Sequence, residues 1–275
     1  MRYFYLAFFI ILMLGIAAQP QKKKGLKLVW QDEFNEGAGL DKSKWLFEVG
    51  HIRNEEEQYY TADRTENCRI VNGCLVIEAR KEKFPNKDYN PAIQNWKNVY
   101  RNADYTSASI TTKGLHSWQF GRIEVRAKLP EGQGVWPAIW MLGANRDEAG
   151  YPFCGEIDIM EYTGRDPHRI HATTHHARDK EGNIISNTGE IKKRKPYKDF
   201  HVYAIEWNKK EISFFLDNKK YHSVNLETIV TKKENPFLKP FYLIINFALG
   251  GSWGKTINDK ILPQQFLIDY VRVYQ

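Results

Sequence analysis

Hydrophobic and polar positions alternate along much of this chain with the two-residue period of a β-strand. Residues 121–130, GRIEVRAKLP, show the alternation most clearly. One face of this run carries apolar side chains: Ile123, Val125, Ala127 and Leu129. The other face carries charged side chains: Arg122, Glu124, Arg126 and Lys128. The pattern predicts a strand with one buried face and one solvated face.

Further strand-like segments follow between Gly, Asn, Asp and Pro residues: HVYAIEWN, EISFFLDNKKYHSV and FLIDYVRVYQ. The segment FYLIINFALGG, from Phe241, is apolar throughout and is predicted to be central in its sheet. Asn72-Gly73 and Asp217-Asn218 are predicted hairpin turns. One helical turn is expected near residues 226–230, and residues 81–104 are predicted to form a long polar surface loop.

These patterns together predict an all-β fold. Long windows of helical period are nearly absent, so the short strands are expected to form two stacked antiparallel sheets, a sandwich or jelly roll. A chain of 275 residues that is 42% hydrophobic can bury a large core as one domain. Residues 26–275 are therefore predicted to form a single domain.

The first residues have the pattern of a signal peptide. Arg2 precedes an apolar run from Tyr3 to Leu14, and small residues end at Ala18. The run is too short to span a bilayer and no stop-transfer pattern follows, which disfavours a retained anchor. We predict a signal peptide at residues 1–18, a linker at 19–25, and a secreted protein, periplasmic or extracellular, with no membrane span in its mature form.

The formal net charge of +7 raises the question of a nucleic acid or sulfated polysaccharide partner. The basic runs lie at residues 22–24 and 192–195, and the first of these falls in the predicted linker. We interpret the charge as a solvated surface, and we expect a monomer with no nucleic acid partner.

Three cysteines leave an odd count, and two of them flank the Asn72-Gly73 turn. In a two-residue turn the thiols of Cys68 and Cys74 would project to opposite faces of the sheet. We predict that Cys68, Cys74 and Cys154 are free and mostly buried thiols.

Residues 155–164, GEIDIMEYTG, place three carboxylates on one predicted strand. Glu156 and Asp158 share a face, but Glu161 is an odd number of steps away and would point to the other face. A helix would set the two glutamates about 140° apart, and the flanking glycines and β-branched residues oppose it. A β-bulge at Ile159 or Met160 would return Glu161 to the shared face.

Two glutamates on one face can approach the carboxyl separation of retaining glycosidases, about 5 to 5.5 Å. Asp158 between them could hydrogen-bond one glutamate and, by its charge, help the other to keep its proton. A Ca²⁺ site or a merely polar strand face are the alternatives.

The segment VWPAIWML places Trp136 and Trp140 on one strand face, about 13 Å apart, where two exposed indoles could stack on sugar rings. They could instead be core residues, and Pro137 favours an edge strand or a distortion. In IHATTHHA, His171 and His175 share a face of a strand predicted to pair with the acidic one. A zinc site made by these two histidines is disfavoured because their Cα atoms would lie about 13 Å apart.

The motif EIDIME resembles the signature of glycoside hydrolase family 16, specifically its endo-β-glucanases of the laminarinase and lichenase type. Other motifs resemble landmarks of that family in the same order: WQDEF, RNEEEQYYT, GRIEVRAKLP with GQGVWPAIWML, FALGGSWG and DYVRVYQ. Met160, inserted before Glu161, resembles the bulged, laminarinase-like branch. Ser109 and Ala172 depart from it, since arginine and glycine are usual there.

The resemblance implies a β-jelly-roll with an open concave cleft and retaining endo-hydrolysis of β-1,3-glucan, mixed-linkage β-1,3-1,4-glucan, or both. It implies Glu156 as nucleophile, Asp158 as its assistant and Glu161 as acid/base. It also implies a set of glucan contacts: Asn54, Glu56, Trp136, Trp140, His175 and Trp253. No cofactor is required for catalysis.

The resemblance further implies a structural Ca²⁺ bound by Asp269 and the carbonyls of Glu33 and Gly73. Other functions stay open on the same scaffold: hydrolysis of agar or carrageenan, transglycosylation, and β-glucan binding by a non-catalytic lectin. The intact set of three acids disfavours the lectin.

Overall fold

The computed structural model of the protein describes residues 25–37, 39–229 and 234–275. The predicted signal peptide and nearly all of the predicted linker lie outside the described residues. The strands are β1 (Leu28–Asp32), β2 (Leu46–Glu48), β3 (Gln58–Tyr60), β4 (Cys68–Val71), β5 (Cys74–Pro85), β6 (Asn102–Ser107), β7 (Ser109–Thr111), β8 (Gly121–Lys128), β9 (Val135–Gly143), β10 (Glu156–Glu161), β11 (Arg169–Arg178), β12 (Ile184–Lys192), β13 (His201–Trp207), β14 (Glu211–Leu216), β15 (Lys219–Asn225), β16 (Phe241–Leu249) and β17 (Gln264–Tyr274).

The strands form two sheets, which confirms the predicted sandwich. One sheet has the order β15-β14-β13-β8-β17-β5-β6-β3, with β1 paired to β17 and β4 paired to β5. The other has the order β12-β11-β10-β9-β16-β7-β2. Among the described strands, β3 and β6 form the one parallel pair. Most neighbouring strands are distant in sequence, so the topology brings remote segments together.

The hydrophobic core lies between the two sheets. The apolar face of β8 is fully buried there, as the alternation predicted, and it meets apolar residues such as Ile139 and Met141 of β9. Every residue of β16 is buried, because this strand lies between β9 and β7. Its predicted central position is confirmed.

The charged face of β8 is less solvated than predicted. Arg122 and Glu124 are only 2% and 3% exposed. β8 lies between β13 and β17, and Arg122 donates to Glu124 at 2.8 Å and to Glu206 at 3.1 Å. The prediction of a solvated face is therefore wrong at this end of the strand. Neighbouring side chains cover the Arg122–Glu124 ion pair, which the alternation pattern alone had placed on the solvent-exposed face.

Both predicted hairpin turns are confirmed. Asn72 and Gly73 join β4 to β5, and Asp217 and Asn218 join β14 to β15. All four residues have positive φ angles, from 50° to 72°, as a two-residue turn with the twist of its strands requires. The three cysteines are free, as predicted, with Cys74 the least buried of them.

The long loop is shorter than predicted. β5 continues to Pro85 and β6 begins at Asn102, so residues 86–101 form the loop rather than residues 81–104. The side-chain amide of Asn86 holds it by donating to the carbonyls of Lys97 at 2.7 Å and Tyr100 at 3.0 Å. The end of β5 is rich in charged residues, so the sequence pattern did not predict that the strand continues to Pro85.

Short helical turns occur at more places than the one predicted. The predicted turn is present as the 3₁₀ turn Leu226–Thr228. The described residues contain four others: the 3₁₀ turns Pro236–Leu238 and Asp259–Ile261, and the short helices α1 (Arg146–Ala149) and α2 (Gly251–Gly254). None of the helices in the described part has the length and apolar composition needed to cross a bilayer.

The buried ion pair on β8 provides a test of the fold. We expect Arg122→Met to lower the free energy of unfolding by about 3 kcal/mol, because it leaves the Glu124 carboxylate buried without its guanidinium. Arg126→Met on the same strand is the matched control, since Arg126 is 34% exposed and should cost about 1 kcal/mol or less. Urea unfolding of both variants measures the difference, and equal costs would show that burial does not set the strength of these pairs.

Candidate active site

Strand β10 contains the extra residue that the spacing of its carboxylates predicted. Asp158 lies opposite Thr173 of β11, and Glu161 lies opposite His171, so three steps on β10 match two on β11. The register with β9 shifts at the same place. Ile159 and Met160 both belong to the core, and Glu161 returns to the face of Glu156 and Asp158. The predicted bulge is confirmed.

The three acids line one cavity of about 430 Å³ on the face of the seven-stranded sheet that points away from the core. Glu156 and Glu161 are partly exposed, whereas Asp158 is buried. The cavity is also lined by four of the predicted substrate contacts: Asn54, Glu56, Trp136 and Trp140. Remote segments of the chain thus converge on the bulged strand.

Glu161 lies at the tryptophan-rich end of this group. The indole N–H of Trp136 donates to its carboxylate at 3.2 Å. Trp253 packs edge-to-face on Trp136, with ring centroids 5.6 Å apart, and on His171 at 5.1 Å. Trp253 is therefore linked to the predicted acid/base Glu161 through Trp136, on which it packs.

His175 lies at the other end, directly opposite Glu156 in the pairing of β10 with β11. Its Nε2 is 3.3 Å from Asp158 Oδ2 and 3.6 Å from Glu156 Oε1. Its Nδ1 is 2.6 Å from the hydroxyl oxygen of Ser186 on β12. The imidazole is thus held between a hydroxyl and two carboxylates.

Burial sets the protonation of the three acids. It raises the pKa of Glu156 well above its ordinary value, with the charge of Asp158 acting in the same direction. Burial and the charge of Glu161 raise the pKa of Asp158 as well, against a hydrogen bond with Glu156. Burial also raises the pKa of Glu161, and the Trp136 hydrogen bond opposes it. Like charges this close in a poorly solvated cavity disfavour full ionisation, so the cluster retains protons above the usual carboxylate range.

The two predicted sugar-stacking tryptophans are more buried than expected, each only 7% exposed. The guanidinium of Arg53 lies 4.9 Å from the ring centroid of Trp140 and covers one of its faces. The Trp140 N–H donates to Asn246 at 2.7 Å. The expectation of two exposed indoles is wrong for this structure, and Trp140 is part of the cavity wall.

Pro137 does not mark an edge strand, because β9 lies between β10 and β16. The Pro137 carbonyl accepts from the N–H of Tyr162 at 3.4 Å, just beyond the last residue of β10. In a strand, the N–H and the carbonyl of one residue point to the same neighbour, so the N–H that Pro137 lacks would have pointed to β10. β10 ends at Glu161, next to Pro137, so the missing donor breaks no hydrogen bond in the middle of the sheet.

The opposite wall combines the predicted Glu56 with residues that the sequence did not single out. The Glu56 carboxylate is 2% exposed and accepts from Gln58 and Tyr60, both at 2.9 Å. Arg53 pairs with Glu48, which also accepts from Ser109 at 2.6 Å. Arg53 and Tyr60 lie with the predicted Asn54 in the RNEEEQYYT motif, whereas Glu48 had no signal of its own.

Tyr151 and Asn246 are two further cavity-lining residues that the sequence did not predict. Tyr151 lies between α1 and β10, and Asn246 lies within the apolar strand β16. A lone polar residue in an apolar strand, such as Asn246, is a weak signal of function. The topology of the sheet, not a sequence pattern, brings Asn246 and Tyr151 to the cavity.

The expected calcium ligands do not fit a calcium site. Asp269 is the one carboxylate of the set, and it is ion-paired with Arg126. Ca²⁺ favours six to eight oxygen ligands, including carboxylates, so a carboxylate already held by a guanidinium is a poor ligand.

Comparison with known proteins agrees with this geometry. The family model for glycosyl hydrolases family 16 matches residues 55–272. A β-glucanase of Rhodothermus marinus is 39% identical over 286 residues, covering 98% of this chain and 93% of the relative.

Two solved structures extend the comparison. The laminarinase from Rhodothermus marinus is 40% identical with a TM-score of 0.79, covering 91% of this chain and 97% of its own. Another structure, described with endo-acting O-glycanases that prominent members of the human gut microbiota express to initiate mucin breakdown, is 41% identical with a TM-score of 0.87. It covers 94% of each chain. On this evidence of sequence and fold, the chain belongs to glycosyl hydrolase family 16 and is a glycoside hydrolase.

Proposed function

We propose that the protein is a secreted, retaining endo-β-glycanase whose substrate is β-1,3-glucan, mixed-linkage β-1,3-1,4-glucan, or both. The observation that carries the proposal is the bulge in β10, which brings Glu156, Asp158 and Glu161 to one face and into one cavity. The β-glucanase and laminarinase names of its relatives support the substrate. Secretion rests on the apolar run that follows Arg2.

In the first step, the Glu156 carboxylate attacks the anomeric carbon while Glu161 donates its proton to the departing glycosidic oxygen. The glycosidic bond breaks and a covalent glycosyl-enzyme forms on Glu156. In the second step, Glu161 removes a proton from water, and the oxygen of that water attacks the same carbon and releases Glu156. Burial raises the pKa of both glutamates, so the raised pKa lets Glu161 begin the cycle protonated but does not by itself distinguish the acid from the nucleophile.

The surroundings hold each acid for its step. The Trp136 N–H fixes the direction of the Glu161 carboxyl, and this indole is itself packed against Trp253. Asp158 shares a hydrogen bond with Glu156, and His175 lies within 3.6 Å of both acids. We propose that Asp158 orients the nucleophile and that Asn54, Glu56 and the cavity-wall tryptophans contact the glycan.

A second substrate class is favoured by one comparison. The structure described with mucin-degrading O-glycanases matches at a TM-score of 0.87, against 0.79 for the laminarinase. The two-carboxylate chemistry is the same for β-linked chains in O-glycans. Cleavage of O-glycan chains by Glu156 and Glu161 is therefore the alternative function, and a non-catalytic lectin is disfavoured by the assembled acids.

Product analysis tests both the mechanism and the substrate. We expect laminarin or barley mixed-linkage glucan to yield oligosaccharides with the β-anomer first, as seen by proton NMR of early products. Glu156→Gln and Glu161→Gln should each lower turnover by roughly 10²- to 10⁴-fold, because each removes one half of the mechanism. Glu131→Gln, at an exposed surface glutamate, is the control and should retain activity.

The substrate panel also includes agarose, carrageenan and mucin O-glycans. Cleavage of O-glycans with no cleavage of either glucan would replace the proposed substrate with the alternative one. An α-anomer in the first products would contradict retention, and near-normal turnover in a folded Glu156→Gln protein would remove the assigned nucleophile.

The Trp136 hydrogen bond predicts a shift in pH dependence. Burial raises the pKa of Glu161 and the indole N–H lowers it, so Trp136→Phe should raise that pKa further. Glu161 must be protonated for the first step, and the alkaline limb of kcat/KM should therefore move to higher pH. kcat should fall by roughly 2- to 10-fold, equivalent to one hydrogen bond. Trp140→Phe is the matched control, because its N–H bonds Asn246, and an equal shift in that variant would contradict the assignment.

Asp158 predicts a dependence of stability on pH. Its pKa is raised in the folded protein, so the fold binds this proton more tightly than the unfolded chain does, and stability falls as pH rises above the unfolded value of about 4. Asp158→Asn removes this loss. We expect the variant to melt roughly 2 to 4 °C higher at neutral pH and to match the wild type near pH 3. Calorimetry with the exposed Asp199→Asn as control measures this, and a lower melting temperature at neutral pH would contradict it.

A further inference from the structure

Glu156, Asp158 and His175 present three metal-binding atoms on two neighbouring strands. One oxygen from each carboxylate and one imidazole nitrogen all lie within 4.8 Å of one another. Nitrogen and oxygen donors of this kind bind Zn²⁺, and three protein ligands with one open position are typical of accessible zinc sites. The sequence disfavoured a zinc site made by His171 and His175. The structure instead groups His175 with two acids of the adjacent strand.

The distances suit a tetrahedral ion. Zn²⁺ with bonds of about 2.0 to 2.2 Å requires its ligand atoms to lie roughly 3.3 to 3.6 Å apart. His175 Nε2 is 3.3 Å from Asp158 Oδ2 and 3.6 Å from Glu156 Oε1. The chosen oxygens of Glu156 and Asp158 lie within 4.8 Å of each other. The three groups therefore require little movement to surround one ion.

Two further contacts point to a cation. Asp158 is 3% exposed, and within the described part of the chain its Oδ2 has no hydrogen-bond partner although it faces His175 Nε2. The other ring nitrogen of His175 is bonded to the Ser186 hydroxyl. When Nδ1 donates to Ser186, the Nε2 lone pair faces the unpartnered oxygen, and a cation between them satisfies both. A hydrogen bond at the far nitrogen is also what orients histidine ligands in metal sites.

We propose that Glu156, Asp158 and His175 form a Zn²⁺ site whose occupation inhibits the hydrolase. The bound ion takes the Glu156 carboxylate that the proposed mechanism uses as nucleophile, and both Glu156 and Asp158 line the cavity. Zinc and glycan then compete for the same place. Ca²⁺ and Mg²⁺ favour six or more oxygen ligands and should bind this three-ligand, nitrogen-containing site much more weakly.

Titration calorimetry of the chelator-treated full chain with Zn²⁺ tests the binding. We expect one site per chain, and His175→Asn should weaken it by about 100-fold or more. Ser186→Ala should weaken it by roughly 10- to 100-fold, because it removes the group that orients the ligand. His116→Asn is the matched control: it deletes a histidine bonded to the Ser43 carbonyl, outside the cavity, and should bind zinc as the wild type does.

Circular dichroism shows whether each variant is folded, and Ser186→Ala supplies a second test if His175→Asn is not. Wild-type affinity in both variants, or no zinc binding by the wild type, would overturn the site. In kinetics on a cleaved glycan, Zn²⁺ should raise the apparent KM without lowering kcat, and a fall in kcat alone would overturn competition. The inhibition rests on the proposed role of Glu156, whereas binding does not. A chain that binds zinc but cleaves no glycan would refute the proposed function and leave the metal site standing.

Discussion

The whole active site depends on the parity of one strand. A regular β10 would put Glu161 in the core and expose Met160 to the cleft, since side chains alternate faces at every step. The extra residue between Asp158 and Glu161 removes this conflict. Ile159 and Met160 both pack into the core, and the last acid rejoins the first two. Core burial and catalytic geometry are therefore satisfied by the same local irregularity.

The bulge concentrates negative charge where water is scarce, and that arrangement opposes folding. Three carboxylates share a cavity in which burial raises the pKa of each. They are tolerated because they lie on the interior strand β10, between β9 and β11. The other face of this strand is part of a continuous hydrophobic core. The hydrophobic core of the sandwich stabilises the fold, whereas the buried carboxylates at the site lower its stability. This is the usual relation between a rigid scaffold and a reactive cluster.

The features that sequence could predict are those decided by local rules. The turns at Asn72-Gly73 and Asp217-Asn218, the buried β16 and the bulge all follow from backbone conformation and side-chain alternation. The failures arise from contacts between distant segments. Arg122 was assigned to water because it is charged, yet Glu206 from another strand helps to bury it. Arg53 covers Trp140 across 87 positions of sequence, and no periodicity reports such a contact.

Choice of substrate follows from the walls rather than from the acids, because any retaining enzyme needs the same two carboxylates. With one face of Trp140 closed by Arg53, stacking at that side of the cavity gives way to hydrogen bonding. Arg53 Nη1 is buried without a hydrogen-bond partner among the described residues. Directional donors distinguish equatorial from axial hydroxyls, whereas an aromatic face responds mainly to the flatness of a ring. Arg53 and Tyr151, the latter 37% exposed, both line the cavity, and side-chain donors placed in this way are the groups by which a cleft can respond to the orientation of a sugar hydroxyl.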